Sequence, residues 1–159
     1  VFGPKVHGAQ SLHTAAAYAP VATFCVYSSV ASLLGSTGQA PHSAGNSWLD
    51  SLAQWRRGFG RSGLSMQWGA VAEIGYAARH RADTAAQRSG GGAIPRAMAW
   101  EALVRTLFTP TQLVAVFPVD WGKLLRGRAE VPGFLAPYKH LAAQPKRTAA
   151  PAPQPSQQA

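Results

Sequence analysis

Acidic side chains are scarce in this 159-residue chain: six Asp and Glu stand against fifteen Lys and Arg, for a formal net charge of +9. Only 13% of residues are charged, about half the ~25% of an ordinary soluble protein. The basic excess therefore reflects missing acids rather than crowded bases, and a nucleic-acid partner, which asks for Lys and Arg along one face, is not expected. A single cysteine, Cys25, excludes an intrachain disulfide framework and a Cys-rich zinc module. Its apolar setting suits a thiol used as a small core residue in a reducing compartment. No two of the five histidines stand at i, i+4, so no metal site is expected. Long hydrophobic runs are also missing. The most apolar window, from Ala15 to Leu34, is broken by Pro20, Thr23, Ser28, Ser29 and Ser32, short of the ~20 strongly apolar residues a membrane span needs. No signal-peptide order of basic, apolar and cleavage regions opens the chain. A cytoplasmic protein without a membrane partner is the expectation, and the start at Val1 rather than Met fits an excised or incomplete chain.

What is present reads as alternating layers. Val6, Ala9, Leu12 and Ala16 recur at helical spacing from Lys5 to about Ala19, with Pro4 in the tolerant first turn and Pro20 as a stop. Val21 to Ser29 reads as a strand buried on both faces, hence parallel. Gly35 to Gly38 forms a loop, and a helix from Pro41 to about Arg57 carries Ala44, Trp48, Leu49, Leu52 and Trp55 as its inner stripe. Leu64 to Trp68 is a second strand. Residues 72–94, with small side chains, scattered Arg and the Gly90-Gly91-Gly92 triplet, suggest a lid-like loop. A helix from Arg96 to Phe108, with Ala97, Trp100, Leu103, Val104 and Leu107 inward, precedes a third strand from Gln112 to Phe117. The expected fold is α/β, a partial Rossmann-like parallel sheet with flanking helices, occupying residues 1–126. Residues 127–143 give a poorly defined extension, and 144–159, rich in Pro, Ala and Gln, a disordered linker.

In open α/β sheets ligands bind beyond the carboxyl ends of strands. The first strand ends in Ser28-Ser29, and His42 and Asn46 follow four residues apart, on one helix face. Taken singly these are bland: a Ser pair closes a turn, Lys5 at a helix start is a solvated charge, and Asn46 bonds backbone. His7 and His13 are expected on the surface of the first helix, the tryptophans in the core or at interfaces, and Arg56, Arg57 and Arg61 at a helix end that favours cations.

Together the segments Pro4-Lys5-Val6-His7-Gly8-Ala9, Tyr27-Ser28-Ser29-Val30-Ala31, Gly35-Ser36-Thr37-Gly38-Gln39-Ala40, Ala44-Gly45-Asn46-Ser47-Trp48-Leu49-Asp50, Gln67-Trp68-Gly69-Ala70 and Val119-Asp120-Trp121 resemble the second half of a ketoreductase domain. The family is that of type I modular polyketide synthases and fatty acid synthases, within the short-chain dehydrogenase/reductase superfamily, and the likeness runs from about Pro4 to Leu125. The resemblance implies NADPH-dependent reduction of a β-ketoacyl thioester carried on an acyl carrier protein. It assigns Ser29 to the substrate carbonyl oxygen and Lys5 and Asn46 to the proton supply. The family's proton-donating Tyr falls at position 42, where this chain has His42. An imidazole near pKa 6.5 is mostly unprotonated at pH 7, whereas a phenol near 10 keeps its proton, so impaired reduction is expected. The resemblance also places Gly69, Ala70 and Val71 at the nicotinamide end of the cofactor. It puts the Gly-rich pyrophosphate turn and the first strands upstream of Val1, so this chain alone is expected to bind NADPH poorly and to be inactive, leaning on the rest of its domain and on neighbouring synthase domains. The competing expectation is a non-catalytic ketoreductase-like module that holds its neighbours in register.

Overall fold

The structure, a computed structural model, describes residues 1–72, 90–125 and 130–142. The 73–89 part of the expected lid and the expected linker at 144–159 lie outside the described residues. The first helical turns are wide, over Gly3–His7, with the Gly8 amide donating to the Gly3 carbonyl, and continue as α1 (Gly8–Ala15). The remaining order is β1 (Cys25–Ser29), α2 (Val30–Leu34), α3 (Ala40–Gly58), β2 (Leu64–Trp68), α4 (Arg96–Leu107), β3 (Leu113–Val116) and α5 (Trp121–Leu125). A 3₁₀ turn over Gly133–Tyr138 and a last helical turn, α6 (Lys139–Ala142), follow; Tyr138 stacks on Trp121 with centroids 4.3 Å apart.

The three strands are parallel and stand in chain order, β1-β2-β3. Alternation along them sorts the side chains. Val26, Ser28, Ser65 and Gln67 face α3, where Val26 joins Phe24, Ala9, Leu49, Leu52 and Ala53 in the core. Tyr27 and Trp68 face the other way, stacked at 6.0 Å, and with Ala99, Trp100 and Leu103 of α4 they line a cavity of about 260 Å³. The helix between β1 and β2 and the helix between β2 and β3 thus lie on opposite faces. For parallel strands in sequential order this gives the two crossovers opposite hands, so one of them departs from the strong right-handed preference.

Several local expectations change. The first strand is shorter, since only Cys25–Ser29 pairs with β2, and it is buried on one face: Tyr27 is 53% exposed. The inner stripe expected on α4 is not buried; Trp100 is 68% exposed, Ala97 and Leu107 are exposed, and only Thr106 is enclosed. Among the described residues α4 packs against β3 and borders the Tyr27–Trp68 pair, a contact that leaves Ala97, Trp100 and Leu107 uncovered. Trp55 likewise lies half outside, packed edge-on to His13 and against Phe59. His13 is the reverse case. It is 9% exposed because its Nδ1 lies 2.8 Å from Nη1 of Arg56, which is itself buried over the Phe24 ring and donates through Nε to the Ser62 carbonyl.

Candidate active site at the carboxyl end of β1

At Ser29 the chain leaves β1 in extended conformation and turns directly into α2, so Ser29 is the N-cap. Its Oγ accepts the Ala31 amide at 3.2 Å, which satisfies one orphan helix donor. Because the oxygen is used as an acceptor there, its own O–H is left to donate elsewhere. The next long helix, α3, opens with Pro41 in its first turn and presents His42, Asn46 and Asp50 at successive i, i+4 positions.

Gly45 lets the segment before α1 come close. A Cβ at this position would stand 3.3 Å from Val1 and 3.7 Å from the Lys5 chain, so the Lys5 stem lies against α3. From there Lys5 Nζ reaches β1 and donates to the Tyr27 carbonyl at 3.1 Å. Lys5 and His42 are near enough to feel each other's charge: burial first, and then the Lys5 ammonium, push the imidazole below its usual range. Burial also lowers the Lys5 ammonium, opposed by the Asp50 carboxylate. Asn46 is fully enclosed; its Nδ2 donates to the His42 carbonyl at 2.8 Å, and its Oδ1 has no hydrogen-bond partner among the described residues. Lys5 thus reaches the β1 carboxyl end, where the Asn46 carbonyl takes the Ser28 hydroxyl; His42 stands one turn before Asn46 and feels the Lys5 charge, and Ser29 lies two residues beyond the carbonyl that Lys5 holds. None of these four side chains bonds another directly; the backbone of Tyr27, Ala31 and His42 joins them.

The Gly69 to Val71 backbone leaves the carboxyl end of the neighbouring strand. Gly69 donates to the Val116 carbonyl, and a Cβ on it would come within 2.7 Å of Phe117, so this turn passes hard against the segment after β3. Ala70 accepts from Ile94, and Val71 borders the aromatic cavity. The parallel bridge between Val71 and Ile94 uses only the carbonyl of Ala70 and the amide of Ala72. The N–H and C=O of Val71 stay outside it, a donor–acceptor pair suited to a carboxamide such as the nicotinamide end of a dinucleotide. A pyrophosphate cradle, by contrast, has no counterpart among the described residues, where no strand feeds a Gly-rich turn into a helix.

Residue patterns taken one motif at a time miss the buried carboxylate of Asp50. Its Oδ1 accepts from Ser65 at 2.6 Å and its Oδ2 from Ser32 at 2.6 Å and from Gln67 at 2.8 Å. The signal was available: Ser65 and Gln67 alternate with Leu64, Met66 and Trp68 in a strand that otherwise reads as core, and Asp50 is one of only six acids.

A parallel sheet with helices on both faces and a capped serine at a strand's carboxyl end has the Rossmann-like architecture of the short-chain dehydrogenase/reductases. Residues 1–73 match the family model described as the KR domain. The chain is 39% identical over 127 residues, 76% of its length, to a phthioceranic/hydroxyphthioceranic acid synthase of Mycobacterium tuberculosis. It is 48% identical over 79 residues to a mycocerosic acid synthase-like polyketide synthase of Mycolicibacterium smegmatis. Among solved structures, an A1-type ketoreductase superposes with a TM-score of 0.80 at 29% identity over 87% of the chain. The first ketoreductase of the tylosin polyketide synthase does so at 0.73 and 34% over 78%. The chain spans 6% of the first of these synthases, 4% of the second, and 29% and 27% of the two ketoreductase structures. It belongs to the ketoreductase domains of modular polyketide synthases.

Proposed function

We propose that this segment supplies the proton-handling half of an NADPH-dependent β-ketoacyl reductase whose substrate is a thioester on an acyl carrier protein. What supports the reading is Lys5 bonding the Tyr27 carbonyl at the β1 end, two residues before Ser29, together with the enclosed, unpartnered Oδ1 of Asn46 on α3. NADPH, when bound, delivers hydride to the keto carbon, and negative charge then grows on the oxygen. The Ser29 O–H donates to that oxygen, which is where a preorganised donor lowers a barrier most. The enclosed Asn46 Oδ1 accepts from the group that brings the replacing proton, and the Lys5 ammonium favours the deprotonated form of whatever stands at position 42. With tyrosine there, that field would lower a phenol toward neutral pH and make it a better acid. With His42 it works the other way, because a neutral imidazole is already the favoured form and its remaining N–H is a poor proton donor. The Val71 backbone would hold the nicotinamide carboxamide; the phosphates would be held by parts of the domain not in this chain. Reduction is therefore impaired at His42, and the chain by itself is inactive. A cytoplasmic setting, with neighbouring synthase domains and a carrier domain as partners, accompanies this reading.

The same depressed imidazole favours a second reading, a module that keeps the fold but not the chemistry. Two measurements on the synthase polypeptide that carries this segment separate them. In the first, His42→Tyr raises NADPH oxidation with a diffusible β-ketoacyl thioester by about 100-fold; an unchanged rate rejects impairment at this residue. In the second, NADPH binds the parent protein with ordinary affinity; absence of binding favours the structural module.

A further inference from the structure

We propose that Asp50 is a positioning residue for this site: its buried carboxylate fixes the Ser29 turn against the Asn46 turn of α3 by tying both to β2. The proposal rests on the reductase reading above. Asp50 is 6% exposed, and a carboxylate so enclosed is retained only when donors surround it. Its donors come from separate elements, Ser32 from α2 and Ser65 and Gln67 from β2. A second N–H of Gln67 reaches Ser32 Oγ at 3.0 Å, and that oxygen also lies 2.7 Å from the Ser29 carbonyl. Ser28 lies beside this group: its Oγ is 3.4 Å from Ser32 Oγ and donates to the Asn46 carbonyl at 3.2 Å. With the single Ser32 proton on Asp50, the carboxylate thus ties the first turn of α2, three residues after Ser29, to β2, while Ser28 bonds separately to Asn46, one helical turn before Asp50.

The arrangement is more than core filling. An apolar side chain of similar volume at an enclosed ionic position is often neutral or stabilising, so stability alone gives no reason to place a carboxylate here. What a carboxylate adds is direction, since it accepts from several donors at once at fixed angles, and charge-assisted bonds are short and strong. It also adds field, because the same charge opposes the burial that lowers the Lys5 ammonium. Ser29 and Asn46 belong to different elements, and Asp50, on the helix that carries Asn46, ties the turn after Ser29 to that helix and to β2.

The test uses the synthase polypeptide carrying this segment, in the natural and the His42→Tyr backgrounds. Asp50→Asn keeps the shape but turns one acceptor into a donor facing Ser32 and Gln67. Turnover then falls by about 100-fold, as for a misplacement of roughly 1 Å, while the thioester KM and the NADPH Kd stay within about twofold. Combining Asp50→Asn with Gln67→Glu moves the carboxylate across the same contact and restores most of the turnover. Arg56→Met, a buried change at the far end of α3, lowers the melting temperature without lowering kcat, and so separates positioning from stability. A readout independent of turnover is the titration of the Lys5 ammonium by NMR, which moves to lower pH in Asp50→Asn. Turnover and Lys5 titration both unchanged in Asp50→Asn would overturn the proposal, as would a kcat loss in Arg56→Met equal to that in Asp50→Asn. Absence of NADPH binding and turnover in every variant, His42→Tyr included, sinks the reductase reading instead; the Lys5 titration then still reports whether Asp50 acts on Lys5.

Discussion

Two histidines of this chain lie in settings that reject a second proton, and both make the folded state weaker in acid. His42 is depressed by burial and by Lys5; His13 is depressed by burial and then by Arg56 and Arg61. In the unfolded chain each takes a proton near pH 6.5. Below that pH the unfolded state binds protons the folded state refuses, so stability is complete above about pH 7 and is lost as pH falls through 6.5 toward the lowered values. Melting temperatures between pH 8 and 5 should decline over that interval, and His13→Gln, which keeps an acceptor for Arg56, should flatten the decline. Ser29, Lys5, His42 and Asn46 stand out as candidates in the sequence because each belongs to a local motif whose neighbours match the family pattern. Asp50 does not, because its meaning lies in donors from α2 and β2 that only the folded chain brings together. His13 and Arg56 were hidden for the same reason. An Arg–His contact across 43 residues leaves no periodic trace, and helical spacing alone put His13 on the surface.

Among the elements, α3 sets the frame, and its approach to β2 depends on Gly63. A Cβ there would run into the Ala53 carbonyl and crowd the Arg56 side chain, and backbone cannot yield as a flexible side chain does. Gly63→Ala should therefore destabilise the protein by about 3 kcal/mol, measured by urea unfolding. The helices and strands were legible where apolar spacing was regular: α3 and β2 stand close to their expected bounds. The face of α4 was not. Its apolar residues repeat at helical spacing, yet periodicity tells which side is apolar and not how wide the opposing surface is. Which face of the sheet α4 takes was equally invisible, since a pattern of side chains carries no sign for the hand of a crossover.

For the whole molecule, apolar surface and strand edge are the open accounts. Trp55, Phe59, Trp100 and Phe108 are exposed, and among the described residues β1 is paired along one edge only. Exposed aromatic patches and free strand edges recruit other chains. The 159-residue chain expressed alone should therefore run larger than a monomer by light scattering, and a charge introduced by Tyr27→Lys should shift it toward monomer. The fold class was readable from the order of elements because an α/β alternation leaves few layer arrangements open. The sequential order of the sheet has one more consequence. Among the described residues β2 pairs with β1 and β3 with β2, so a nascent chain can complete the β1–α3–β2 unit before α4 and β3 have left the ribosome. Assembly of these three strands proceeds outward from β1, and β3, the last of them to be made, is the first to open when amide exchange is followed in the native state.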